Sequence, residues 1–243
     1  MEENTIRLNT YLAHLDLCSR RKVGELLKKK VVTVNGERVK EPGVRINPET
    51  DDIRLNGHKL KLPELKYYLV NKPKGVISTT SDEYGRKNVT TLIPRTKRIY
   101  PVGRLDKDTT GLIILTNDGS LTNLLTHPRY HVYKVYRLTI DGRLQRRQFL
   151  ALQNGVMLDD GLTAPAKITI IRETDKNTFA QMTIHEGRNR QIRRMCGTLG
   201  VNLMELQRIQ FGPIKLGNLQ EGKYRELTKQ EIMTLKHTTK AEK

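Results

Sequence analysis

From about residue 65 onward the chain is a succession of strand patterns separated by turn signals, and this constrains the fold more than any other feature. KYYLVNKPKGVIST (66–79) reads as a strand, a Lys-Pro-Lys-Gly turn and a second strand, and the apolar run GLIIL (111–115) suits a buried strand. YKVYRLTI (133–140) alternates, with Tyr136, Leu138 and Ile140 on one face and Tyr133, Val135, Arg137 and Thr139 on the other. KITII and TFAQMTI add two more strands around a polar turn at Asp175 to Asn177. The period then changes: Ile192, Met195, Cys196 and Leu199 fall at helical spacing, and Gly200 supplies a stop. Many strands with few helices predict an α+β body, a mixed and mainly antiparallel sheet with helices packed on it. No repeat of fixed period and no low-complexity segment interrupts this pattern.

The first sixty residues follow different rules. Leu8, Leu12 and Leu15 fall at helical spacing, and a second helix is expected to begin at Ser19, whose hydroxyl can cap free backbone amides. Val23, Leu26 and Leu27 form its apolar face, while Arg20, Arg21, Lys22 and Lys28 to Lys30 populate its ends. VVTVNGERV then places apolar strands on either side of Asn35-Gly36, the preferred pair for a tight turn with positive φ at both central positions. Short strands are expected around Val44 to Ile46 and Ile53 to Leu55, and NGHKLKLPELK reads as the way out of the unit. These patterns divide the chain into an N-terminal domain over 5–60, a linker over 61–66, a larger domain over 67–233 and a basic tail over 234–243.

Charge points to the class of partner. The chain carries 44 Lys and Arg against 26 Asp and Glu, a net +18, and the surplus is spread over its whole length. A distributed surplus suits a folded body that touches a polyanion over a wide area, whereas a confined one would suggest an appended anchor. The opening MEENTIRLN lacks a basic stretch followed by an apolar one, and no run approaches the ~20 apolar residues of a membrane helix, so a cytoplasmic protein is expected. Cys18 and Cys196 lie far apart without metal-ligand spacing and read as small apolar residues in a reducing compartment.

The segment GRLDKDTTGLIILTNDG holds the most concentrated chemistry. Asp106 and Asp108 stand beside Arg104, Lys107, Thr109 and Thr110 immediately before an apolar strand. A carboxylate beside an arginine stays ionised, as a nucleophile requires. Spacing alone favours a plainer role, in which the acids and threonines supply turn and cap hydrogen bonds.

Resemblance adds what spacing does not. Ile6-Arg7-Leu8, Ser19-Arg20-Arg21, Gly24, Val34-Asn35-Gly36 and Val39 resemble the alpha-L RNA-binding motif of a ribosomal small-subunit protein and of bacterial tyrosyl-tRNA synthetases. Gly103-Arg104-Leu105-Asp106, with Thr109 and Gly111-Leu112, is similar to the active-site loop of pseudouridine synthases. Three further blocks occur in the family's order: Asn71-Lys72-Pro73-Lys74-Gly75, Lys134-Val135-Tyr136, and Glu186-Gly187-Arg188-Asn189-Arg190-Gln191-Ile192-Arg193-Arg194. Together they look like the RsuA/RluB branch, whose members modify ribosomal RNA, and the likeness spans roughly residues 6 to 230.

The resemblance implies roles residue by residue. Asp106 matches the catalytic aspartate, Tyr136 the tyrosine that lines the uracil pocket, and Arg193 the basic residue that pairs with the aspartate. Ile192 matches the apolar residue that packs on the base, and Arg104 a residue that fills the gap left by the extruded nucleotide, although Gly103 differs from the His found there in another branch. Arg188 and Arg190 would contact substrate, and Arg20, Arg21 and Lys22 would meet RNA phosphates. Asp108 becomes a loop residue.

The implied reaction breaks a carbon–nitrogen glycosidic bond, turns the detached base and rejoins it through carbon. Whether Asp106 attacks the sugar carbon or removes a sugar proton stays open at this level. No net redox change or group transfer occurs, so no cofactor and no metal are expected, and the sequence carries no dinucleotide fingerprint or Cys/His cluster. The expected partner is ribosomal RNA, 23S before 16S, free or within an assembling subunit, met by a monomer. A non-catalytic ribosome-assembly protein is the other class considered, and it would have no need of Asp106, Tyr136 and Arg193 together. A methyltransferase should show a Gly-rich nucleotide loop and a nuclease paired carboxylates or a catalytic His; neither is evident.

Overall fold

A computed structural model describes residues 5–15, 17–80, 85–94 and 99–237. They form two compact units, one up to Leu65 and one from Lys66 onward.

In the first unit a helix over Leu8–His14 and a shorter one over Val23–Lys29 pack Leu8, Leu12, Val23 and Leu27 against Val32, Ile46 and Ile53. The expected helix start at Ser19 is different in detail. Arg20–Lys22 form a separate tight turn ahead of the helix, closed by the bond from Lys22 N to Ser19 O at 2.9 Å, and the Ser19 hydroxyl caps nothing. Asn35 and Gly36 have φ of 52° and 87°, as a hairpin turn with two left-handed positions demands. Asn56 and Gly57 repeat that geometry with φ of 48° and 81°, joining Ile53–Leu55 to His58–Lys59. The stretch that reads as an exit therefore opens with a second hairpin. Leu60 and Leu62 also pack against the first core, so the linker expected from residue 61 starts inside the unit.

The second unit is built on one sheet. Its strands run in the order Lys167–Glu173, Asn177–Ile184, Lys134–Asp141, Leu203–Phe211, Thr110–Thr116, Tyr67–Lys72 and Tyr224–Glu226. Every pairing along this path is antiparallel except that of Leu203–Phe211 with Thr110–Thr116. The α+β expectation is met. Tyr68, Val70, Ile113 and Leu115 enter one core, while Tyr67, Leu69, Leu112 and Ile114 enter the other. Those two strands are covered on both faces, which is why they read as unbroken apolar runs. Ile192, Met195 and Cys196 of the helix Gln191–Thr198 pack into the first core. Burial pushes the Cys196 thiol up to about 12, consistent with an inert apolar role.

The helix Lys229–His237 closes the unit and corrects one boundary. Thr228 and Glu231 cap each other's backbone amides at 2.9 and 3.2 Å, and Arg225 grips the Glu231 carboxylate with two bonds of 2.6 and 2.8 Å. The cap commits the chain to a helix that carries Leu235 into the core at full burial. The expected tail therefore does not begin at residue 234; residues 238–243 lie outside the described residues.

Hydrogen bonding by Arg225, helped by the amide and hydroxyl of Thr228, holds the Glu231 carboxyl down at about 2. Its folded value lies below its unfolded one, so its stabilisation is complete above about pH 4.5 and is lost as pH falls towards 2. Because the pair is partly exposed, Glu231→Gln should cost about 1 kcal/mol at pH 7. Thermal unfolding should show the gap to the parent narrowing below pH 4; a gap that does not change with pH would remove the ionic part of this account.

Candidate active site

The loop that carries Asp106 is held through its backbone, chiefly by the turn Lys72–Ser78. Ser78 Oγ donates to Leu105 O at 2.9 Å and accepts from Leu105 N at 3.1 Å. Gly75 N donates to Lys107 O at 2.9 Å, and a turn closes from Thr109 N to Asp106 O at 3.1 Å. Lys72 is wholly buried beneath, with its ammonium donating to the carbonyls of Pro73, Val76 and Lys107. Burial pushes this amine down to about 8, against the opposing pull of Asp106, Asp108 and Glu221. The Asn-Lys-Pro-Lys-Gly block is thus the cradle of the Asp106 loop.

With its loop pinned this way, the Asp106 carboxylate is spared structural duty. Among the described residues it accepts no hydrogen bond, and its nearest cation is Arg190, with Nη1 4.0 Å from Oδ2. It lines a cavity of about 630 Å³. Arg104 and Leu105 flank it there, Tyr136 contributes from the strand Lys134–Asp141, and Arg188, Arg190 and Ile192 come from the segment that opens the helix Gln191–Thr198. Residues 30 and more than 80 positions from Asp106 meet there only through the sheet.

Arg193 departs from expectation. Its Nη2 donates to the carbonyl of Asp108 at 3.0 Å, and Arg190, not Arg193, is the guanidinium that approaches the Asp106 carboxylate. The reason is local: Arg190 has φ 48° and ψ 32° just before the helix, which turns its side chain back towards the loop. Arg193 braces the loop one turn further on.

Arg188 is also committed within the chain, donating to the carbonyls of Gly161 and Leu162 at 2.9 and 2.7 Å and pairing with Glu186 at 3.3 Å. Arg194 grips Asp160 beside it. These two arginines clamp the hairpin Met157–Leu162, so Arg188 borders the cavity with its donors largely engaged.

Sequence reasoning missed two cavity residues, Lys134 and Arg208. Arg208 sits opposite Tyr136 across adjacent strands, and Lys134 lies two residues before Tyr136, so all three share a face. The available signal was a charged residue at an inward-facing position of LMELQRIQF, since a buried charge demands a reason. In the first unit Arg20, Arg21 and Lys22 are exposed together on one turn.

An acid-bearing loop on a basic, sheet-walled cavity, with a separate module exposing clustered cations, defines an RNA-modifying enzyme with its own RNA-binding domain. Comparison with known proteins gives the family. Residues 66–198 match the RNA pseudouridylate synthases, and residues 6–53 match the S4 domain. The chain is 42% identical over 233 residues to ribosomal large subunit pseudouridine synthase B of Bacillus subtilis, covering 95% of each protein. It is 40% identical over 232 residues to an RNA pseudouridine synthase of Aquifex aeolicus, covering 95% of this chain and 93% of that one. A solved pseudouridylate synthase superposes with a TM-score of 0.68 at 33% identity, over 95% of this chain and 99% of the other. The chain belongs to the RNA pseudouridylate synthase family, in the RsuA/RluB branch that carries an S4 domain, and it is an isomerase.

Proposed function

We propose that this enzyme converts one uridine in a stem-loop of 23S ribosomal RNA to pseudouridine, with Asp106 as its nucleophile. The observation that carries the reading is a carboxylate that accepts no hydrogen bond among the described residues, on the wall of a cavity shared with Tyr136 and Ile192. An extruded uracil packs between the Tyr136 ring and Ile192, which supply an apolar slot with one polar edge. The Asp106 carboxylate attacks C1′ of the sugar as the C1′–N1 bond breaks, and the base turns within the slot. The C5 atom of the base then displaces the carboxylate to form the C1′–C5 bond, and the proton lost from C5 is matched by one taken up at N1. Arg190 places a positive charge beside the carboxylate, while Arg193 and Lys72 hold the loop from which it acts. Arg104, exposed at the mouth, occupies the gap left in the RNA stack. Extrusion costs a few kcal/mol, which cationic contacts to phosphates offset.

The choice of 23S rRNA rests on the name of the Bacillus subtilis relative, a large-subunit enzyme. The protein acts as a monomer in the cytoplasm, on free or assembling RNA. Mapping pseudouridine in 23S and 16S rRNA from cells with and without the gene tests this: one 23S position should disappear. Loss of a 16S position instead would move the substrate to the small subunit, and identical maps would reject the function.

The S4 domain supplies affinity in this reading. Replacing both Arg20 and Arg21 with Ala should raise KM and flatten the salt dependence of RNA binding by roughly one unit of log–log slope per lost contact. Turnover at saturating RNA should stay near the parent value. An unchanged salt slope would mean that this turn does not touch RNA.

A further inference from the structure

The cavity wall holds two cations that the reaction as described does not use. Arg208 is 2% exposed, yet among the described residues it forms no ion pair. Its Nε donates to the carbonyl of Leu112 at 2.7 Å, and its Nη2 is buried with no hydrogen-bond partner. Lys134 stands beside it. The Lys134 ammonium donates to the carbonyls of Val132, His185 and Glu186, at 2.9, 3.4 and 3.4 Å, and likewise pairs with no described carboxylate. Both lie over the Phe211 ring, Arg208 at 4.8 Å and Lys134 at 5.7 Å from its centroid. Of the two acids that line the cavity, Glu186 is occupied by Arg188 and Gln191, and Asp106 pairs with Arg190 at 4.0 Å.

Burying a charge without a counter-charge is costly, and here two like charges stand side by side, Arg208 buried and Lys134 half-buried. Burial, reinforced by Arg208, pushes the Lys134 amine down to about 8, a cost that an opposing charge would relieve. The ring under them offsets part of the cost but carries no net charge. A stabilising structural role would be served by an apolar pair of similar volume. An anion would compensate both charges.

We infer that Arg208 and Lys134 form a subsite for one RNA phosphate, that of the backbone linkage adjoining the extruded uridine. This rests on the reading that uridine enters the cavity, and it identifies what holds the nucleotide by its backbone once the base is inside. Arg208 and Tyr136 are direct neighbours across the strands, so a base against Tyr136 brings its own backbone linkage nearest to Arg208. A base carbonyl would accept a hydrogen bond but would leave both charges uncompensated; a phosphate answers both needs. The bond from Nε to Leu112 O fixes the fork, and the Arg208 backbone lies against Gly111 at the end of the Asp106 loop. Backbone grip and catalytic loop are therefore set by one strand contact.

The test uses the full chain and a stem-loop carrying the mapped uridine, made with one neutral methylphosphonate on either its 5′ or its 3′ side. With the parent enzyme, one of these two linkages should lower kcat/KM by about ten- to a hundredfold, the range of a charge-assisted hydrogen bond. Arg208→Gln should lose a similar factor on natural RNA and little more on the neutral linkage, because both changes remove the same contact. Lys134→Gln makes the same comparison should Arg208→Gln fail to fold. A parent enzyme indifferent to both linkages, or losses that simply multiply, would overturn the subsite. Absence of pseudouridine in the unmodified stem-loop would instead reject the functional reading along with it.

Discussion

Replacing Asp106 with Asn should abolish pseudouridine formation, by at least about a thousandfold, while leaving fold and RNA affinity close to those of the parent. The separation follows from how the loop is held. Ser78, Gly75, Lys72 and Arg193 all engage backbone atoms of residues 105–108, and among the described residues none hydrogen-bonds the Asp106 carboxylate. Asn keeps the shape and loses the charge, so the cost falls on the chemistry. Asp108→Asn is the matched control. Arg193 grips the Asp108 carbonyl and not its exposed carboxylate, so this change should leave turnover within about twofold, as expected of a surface substitution. Single-turnover isomer formation on a substrate stem-loop, with binding measured separately, reads both. Substantial turnover by Asp106→Asn would remove Asp106 from the mechanism.

The largest effect on stability is expected at Gly111. Its φ is +102°, a region that side chains rarely adopt, and a Cβ placed there would lie 2.2 Å from the Arg208 carbonyl oxygen and 2.7 Å from its nitrogen. Both neighbours are backbone atoms of the adjacent parallel strand, so no side chain can swing aside. Gly111→Ala combines backbone strain with overpacking and should cost about 3 kcal/mol or more. In a chain of this size that lowers the melting temperature by about 6–12 °C. Activity should fall further than stability, since the same shift moves the Asp106 loop against Tyr136 and Arg208. Gly197→Ala in the helix Gln191–Thr198, where nothing lies within 4 Å of an added Cβ and Ala is a good helix former, provides the tolerated comparison. A melting temperature within 2 °C of the parent, a shift of under about 1 kcal/mol for a protein this size, would show that the two strands can separate without penalty.

The Gly111 contact also shows where reading along the chain stops. Sequence by itself determined the elements and their faces, because these depend on short-range rules. Alternation set Tyr136, Leu138 and Ile140 inward on their strand, 3.6-residue spacing set Ile192, Met195 and Cys196 inward on their helix, and Asn35-Gly36 fixed a hairpin through positive φ. The four family blocks were also visible, as was the S4 domain. The same rules missed Asn56-Gly57 only because the strand after it, His58–Lys59, is too short and polar to announce itself. They ended the domain at residue 233 because the segment beyond it carries a single buried residue, Leu235.

Tertiary structure decided what the blocks do for one another. That Lys72 lies buried beneath the Asp106 loop, that Arg190 approaches Asp106 while Arg193 braces the loop, and that Arg188 is spent on a neighbouring hairpin all depend on contacts between residues 27 to 85 positions apart. Gly111 and Arg208 meet only because two strands nearly a hundred residues apart pair in parallel, a register that no local pattern encodes. Local geometry can be read from propensity and period because each residue carries it. The placing of a charge beside another charge is a property of the closed sheet, and only folding creates it.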